Sequence, residues 1–235
     1  MMPGDIYYKL DNPVWYSLTE IHQCFAAGND EIKRYEKNIA PFAACHPDKK
    51  DIPGQPEQWI IAGDAFFLLG NIPPLPANYI IESRLDCVQM ISHTPINNTA
   101  AGDLQKLGES DDEEMAALIN LVQPGYYHPG TRLMGDYFGI RVNGQLVAIA
   151  GERMRMNGLT EVSAVVTHPG FTGRGLAQQL IAHVVNKNLS AGIRLFLHVA
   201  ATNERAIKLY EHLGFVQRRS IDVRKIKKEG QKVAG

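Results

Sequence analysis

Cysteine is scarce in this chain of 235 residues. Cys24, Cys45 and Cys87 are odd in number and far apart, which matches neither a disulfide framework nor a metal-ligand spacing. Reduced thiols in a cytoplasmic protein are the expectation. An excess of charge of one sign is also lacking. The formal net charge is −1, so no global field selects nucleic acid or an acidic membrane surface. No stretch approaches the ~20 apolar residues needed to span a bilayer. The opening MMPGDIYYKL has no basic segment followed by an apolar run, so no signal peptide is expected. The histidines form no metal-like pair, and no metal is expected. What is present, with 45% apolar residues, is enough for one large core or two small ones.

The first hundred residues read as a separate α+β region. Asn12 before Pro13 is an N-cap with proline at the first helical position. Val14, Leu18, Ile21 and Phe25 then recur at helical spacing up to Gly28. A second helix is expected over 31–39. A hairpin is expected between 59–62 and 65–69 around Gly63-Asp64, followed by two short strands at 79–83 and 85–91. This region carries no evident chemistry. A polar linker at 93–102 separates it from residues 101–235.

The second region is patterned more strongly. A strand at 104–107 leads to a helix opened by a Ser110-to-Glu113 capping box, with acidic residues in the first turn. Strands at 136–142 and 146–154 flank Asn143-Gly144, a hairpin turn, and a third strand covers 159–167. A helix at 172–189, a buried strand at 193–199, a helix at 203–213 ended by Gly214, and a strand from Phe215 follow. Antiparallel strands joined to a βαβ-like end imply an α/β fold with a mixed sheet and helices on both faces.

The chemistry lies in Val165-Val-Thr-His-Pro-Gly-Phe-Thr-Gly-Arg-Gly-Leu-Ala-Gln178. A strand runs into a glycine-rich turn that opens a helix. Gly173 and Gly175 permit positive φ, so outward amides and the helix dipole would make an anion site suited to a pyrophosphate. A P-loop would need Lys-Ser/Thr after Gly175, where Leu176-Ala177 stand. A dinucleotide fingerprint would need another glycine spacing and an acidic residue after the next strand, and none comes before Glu204. The third reading is an acyl-CoA site.

A second motif, Asn203-Glu-Arg-Ala-Ile-Lys-Leu-Tyr210-Glu-His-Leu-Gly214-Phe215, supports that reading. With the loop Thr172-Gly-Arg-Gly-Leu-Ala177 about 30 residues earlier, it resembles the GNAT superfamily of N-acyltransferases over about residues 102–235. Gly-Glu-Arg at 151–153 and Phe-Leu-His-Val at 196–199 resemble a subgroup whose relatives include glycine N-acyltransferase-like enzymes, some with an extra N-terminal domain. Position 172 departs from the pattern: the family usually has Arg or Gln there, and this chain has Thr.

The resemblance implies a GNAT-type fold and transfer of an acetyl or other acyl group from acetyl-CoA to a primary amine through a tetrahedral intermediate. Val165, Val166 and Thr167 would bind the pantetheine arm through backbone groups. Thr172, Gly173, Arg174, Gly175, Leu176, Ala177 and Gln178 would form the diphosphate loop, and Asn203 would contact the arm. Tyr210 would protonate the departing thiolate. Glu161 is the first choice for general base, sharing a strand face with Ser163, Val165 and Thr167 when counted by two. Glu152 is its rival, with a salt bridge to Arg153 or Arg155 as its structural alternative. His198 is expected as a satisfied sheet histidine. The acceptor, a small-molecule amine or a peptide, is expected near Tyr126, Tyr127 and His128. The C-terminal basic run from Arg218 is expected as a solvated edge strand. A homodimer by edge-strand exchange is compatible with such a sheet. The alternatives are a non-catalytic acyl-CoA-binding or regulatory protein and a nucleotide-dependent transferase.

Overall fold

The computed structural model describes residues 6–49, 60–70, 72–97 and 104–229. In chain order the elements are α1 (Pro13–Thr19), β1 (Ala26–Gly28), β2 (Ile32–Tyr35), β3 (Ala43–Cys45), β4 (Ala65–Leu69), β5 (Tyr79–Ser92), β6 (Leu104–Leu107), α2 (Asp112–Val122), β7 (Tyr137–Val142), β8 (Gln145–Met156), β9 (Leu159–Thr167), α3 (Leu176–Ser190), β10 (Arg194–Ala200), α4 (Glu204–His212) and β11 (Val216–Lys228). They group into two compact units. One takes residues 1–37, 41–87 and 220–235, and the other takes 38–40 and 88–219. The units therefore do not follow a single cut near residue 100. The long strands β5 and β11 contribute to both.

In the first unit, Asn12 caps α1 by accepting from the Trp15 amide, with Pro13 at the first position. The helix ends at Thr19, well before Gly28. The expected helix over 31–39 is instead β2, the middle strand of an antiparallel β1-β2-β3 sheet. Turn chemistry overrides helical spacing there. Gly28 has φ +128°, and the Asn29 side chain accepts from the amides of Glu31 and Ile32, closing a β1–β2 turn. The expected hairpin around Gly63-Asp64 is not a hairpin. Residues 60–64 form a turn whose Asp64 carboxylate accepts from the Ile61 amide, Arg34 and Lys37, and β4 pairs with β11; Trp59 lies outside the described residues. The two short strands expected at 79–91 are one, β5. The basic C-terminal strand is no edge, because β11 lies between β4 and β5. Lys225 and Lys227 pair with Glu82, and Lys228 is buried with its ammonium on the Ile60 carbonyl.

In the second unit the strand order is β11-β5-β10-β9-β8-β7-β6. β6 to β9 form an antiparallel run, whereas β9 and β10 are parallel, joined through α3. Leu180, Ile181, Val184 and Val185 of α3 pack on one face against Ala148, Ala150, Val162 and Leu195. Met115, Leu118 and Ile119 of α2 pack with Tyr137, Ile149 and Val166 on the other. The capping box before α2 is shifted from the expected one: Asp111 accepts from the Gly108 amide, 2.8 Å away, and a short 3-10 turn, Glu109–Asp111, precedes the helix. The mixed α/β architecture with helices on both faces of the sheet is the one the patterning implies.

Candidate active site

Two irregularities in β9 define the site. First, its pairing with β8 skips a residue. Val166 lies opposite Ile149 and Ser163 opposite Gly151, so Ala164 and Val165 together stand across from Ala150. Ala164 absorbs the extra residue with φ +51°, a left-handed conformation costing an L-residue roughly 1–2 kcal/mol. Counting by two therefore fails beyond Ser163. Val165 packs with the α3 cluster and Val166 with the α2 cluster, so Glu161 and Ser163 do not share a face with Val165. Second, β10 pairs with β9 only from Arg194–Leu159 to Phe196–Glu161. Past Glu161 the two parallel strands have no ladder between them. An opening beyond the carboxyl ends of parallel strands is where open α/β sheets bind ligands.

The chain leaves β9 into the glycine-rich turn at this end. His168 accepts the Gly170 amide through Nδ1, which makes it a turn former. Gly173 and Gly175 have φ +78° and +73°, and Gly175 begins the 15-residue α3 with no side chain capping it. The first amides of α3, from Leu176, Ala177 and Gln178, are thus left for another acceptor. The Thr172 hydroxyl donates to the Pro169 carbonyl, while the exposed Arg174 guanidinium lies 4.8 Å from the Phe171 ring centre. Thr172 shapes the turn, and Arg174 supplies its charge.

β10 leads from the same end to α4. The Asn203 side chain accepts the Ala206 amide at 3.1 Å, so its carbonyl oxygen caps the helix. Tyr210 packs edge-on against Phe215, ring centres 5.7 Å apart, and contacts the α3-side core. Burial pushes its phenol up to about 12, so it keeps its proton at neutral pH.

Both candidate carboxylates are heavily engaged. Arg153 grips Glu161 with Nε–Oε2 at 2.7 Å and Nη2–Oε1 at 2.8 Å. His198 Nδ1 adds a bond of 2.8 Å to Oε1. Glu161 is 1% exposed. Burial works to raise its pKa, but the charge and hydrogen bonds of Arg153, with the hydrogen bond from His198, outweigh burial and hold it well below the usual carboxylate range. Glu152 points to the other face. Its oxygens take the Lys187 ammonium (2.7 Å), the Asn188 amide (2.6 Å) and the Asp136 backbone N–H (3.2 Å), with Arg155 at 3.8 Å. It ties the meander to α3.

Tyr137 is a residue that the motifs do not reveal. It stands opposite Gly151, and a Cβ on Gly151 would come within 2.3 Å of the Tyr137 ring. Tyr127, half-buried, meets Tyr137 edge-on at 6.3 Å. Both hydroxyls are buried, and neither has a hydrogen-bond partner among the described residues. The Asn143-Gly144 turn alone would set Tyr137 opposite Ala150; a one-residue register shift between Ile140 and Arg141 moves it opposite Gly151, and no sequence signal marks that shift. Among the described residues no group of three or more His, Cys, Asp or Glu side chains gathers as a metal site, and no helix is long and apolar enough to cross a membrane.

A GNAT-family protein of known structure from Novosphingobium aromaticivorans is 33% identical, superimposes with a TM-score of 0.86, and aligns over 94% of this chain and 99% of its own. The chain belongs to the GNAT family. Residues 137–223 also match the family described as FR47-like protein, a GNAT segment that begins at Tyr137 and takes in both motifs. The [Ribosomal protein bS18]-alanine N-acetyltransferase of Salmonella typhimurium is 35% identical over 74 residues, 28% of this chain. The chain spans about half, 50%, of that curated relative's length. A GNAT acetyltransferase from Colwellia psychrerythraea, 15% identical over 63% of this chain and 58% of its own, shares the fold with a TM-score of 0.51. These relatives carry the GNAT family and not the glycine N-acyltransferase-like subgroup.

Proposed function

We propose that this protein transfers an acetyl group from acetyl-CoA to a primary amine. The observation that carries the reading is the conjunction at one end of the sheet. A bulged β9 parts from β10, and the turn after it opens an uncapped α3 through two glycines at positive φ. Backbone groups of Val165, Val166 and Thr167 would hold the pantetheine arm. The Gly173–Gly175 turn and the amides of Leu176, Ala177 and Gln178 would take the diphosphate, with Arg174 adding charge and Asn203 facing the arm from the start of α4. When bound, acetyl-CoA supplies the activated thioester. Attack by the amine proceeds directly, through a tetrahedral intermediate whose oxyanion a backbone N–H at the bulge stabilises.

Tyr210 holds the proton that the departing thiolate needs. Its raised pKa keeps the phenol protonated across the neutral range. Glu161 was the leading candidate for base, but a carboxylate gripped by Arg153 and His198 has little tendency to accept a proton near neutrality. We assign it to orientation, and the amine enters neutral or gives its proton to water. A pH–rate profile of Glu161→Gln separates the two roles: loss of the acidic limb would restore Glu161 as base. The acceptor, a small-molecule amine or a peptide N-terminus, lies toward Tyr127 and Tyr137, whose free hydroxyls offer donors.

The test is calorimetric titration with acetyl-CoA, with ATP and NAD as controls, followed by a thiol-release screen of amines. Saturable binding of acetyl-CoA alone supports the reading. Absence of binding in folded protein, or preference for ATP or NAD, sinks it.

A further inference from the structure

The motifs leave unused a polar chain that crosses the sheet beside the opening. It runs over five neighbouring strands, from Arg153 on β8 through Glu161 on β9, His198 on β10 and Gln89 on β5 to Arg218 on β11. Beyond the Arg153–Glu161 fork, His198 Nδ1 lies 2.8 Å from Glu161 Oε1, His198 Nε2 lies 3.0 Å from Gln89 Nε2, and Arg218 Nη1 lies 2.8 Å from Gln89 Oε1. Gln89 is fully buried, and the His198 side chain is 5% exposed.

The donors and acceptors along this chain fix its protons. A guanidinium can only donate, so Arg218 holds Gln89 with its oxygen outward and its NH2 toward His198. That NH2 can only donate, so His198 Nε2 must carry a lone pair. The Glu161 carboxylate can only accept, so the single ring proton sits on Nδ1. A doubly protonated ring would set two donors against each other in a dry site. The position of the chain is as specific as its protonation. The β9–β10 backbone ladder ends at Phe196–Glu161, and His198, the next residue on that face of β10, bonds to Glu161 where the ladder stops. Gln89 holds the other nitrogen from β5, so the ring cannot turn.

We propose that this chain is a brace that fixes how far β9 and β10 open, with His198 as a positioning residue held in the neutral Nδ1–H form by Gln89 and Arg218. This rests on the reading that the arm of acetyl-CoA lies in that opening. It makes β5, from the first hundred residues, part of the site's architecture.

The test uses the full chain labelled with 15N-histidine, with no ligand, at neutral pH. The His198 signal, identified by its loss in His198→Gln, should show Nδ1 protonated and Nε2 bare. Arg218→Met, at the half-buried end of the chain, removes this donor to the Gln89 oxygen, and the His198 ring should shift toward protonation at Nε2. A wild-type ring already protonated at Nε2 overturns the brace, as does a ring indifferent to Arg218→Met. Calorimetry supplies the second arm: acetyl-CoA should bind about tenfold more weakly to folded Gln89→Met, the scale of one lost buried hydrogen bond. Undiminished binding there, with wild type binding well, also overturns the brace. Failure of the wild type to bind acetyl-CoA counts against the acyltransferase reading alone, because the ring's protonation is read without ligand. If Gln89→Met does not fold, the ring signal and Arg218→Met decide.

Discussion

At the scale of single residues, the site is governed by which polar atoms are already occupied. Tyr210 keeps its proton and Glu161 has none to gain, and each state can be measured. Tyr210→Phe should lower kcat by about 10²-fold while leaving acetyl-CoA affinity nearly unchanged by calorimetry; equal turnover would remove Tyr210 from the proton-donor role. Glu161 has a folded-state pKa below its unfolded value of 4.5. Its contribution to stability is therefore present above that value and fades as pH falls toward the lower, folded one. Urea denaturation should find Glu161→Gln less stable than wild type by about 3 kcal/mol at neutral pH, because Arg153 loses its buried partner. The difference should shrink on acidification below roughly pH 4.5. A gap independent of pH would mean the ion pair is not its source. The motifs made the glycine turn and the Asn203 cap legible, because turn and cap chemistry is local. The engagement of Glu161 was not legible, since Arg153 comes from the neighbouring strand and His198 from 37 residues on.

At the scale of elements, local signals succeeded where they agreed with one another. Asn143-Gly144, with an apolar run on either side, marked the β7–β8 hairpin though not its register shift, and β9 begins and ends where its pattern does. They failed where a helical spacing met turn chemistry, as at Gly28–Ile32, and where an extra residue broke alternation, as at Ala164. No sequence pattern marks that bulge, because alanine is an ordinary strand residue and its left-handed φ is imposed by the strands beside it. A β-branched side chain tolerates that conformation poorly. Ala164→Val should therefore destabilise by about 2 kcal/mol or more and abolish acetyl-CoA binding, whereas Ala164→Gly should retain binding. Thermal melts and calorimetry check both, and an Ala164→Val protein that binds normally would mean the bulge is not required.

At the scale of the whole molecule, β5 lies between β10 and β11 although it precedes both by more than a hundred residues in sequence. Met90, fully buried, fills the core from that strand. A fragment of residues 104–235 should thus fail to fold, despite containing every motif, and should elute as aggregate with little cooperative unfolding. A compact, cooperatively melting fragment would contradict the placement of β5. The same placement bears on how the chain emerges from the ribosome. Gln89 must wait 109 residues for His198 and 129 for Arg218, on the order of ten seconds of synthesis. Through that time a 14-residue strand has no neighbour, and unpaired apolar strands are what nascent chains stick together by. Its own sequence guards it: Glu82, Arg84 and Asp86 put a charge at every second position through its middle, as gatekeepers do. Glu82 finds its lysines only when β11 arrives beside it.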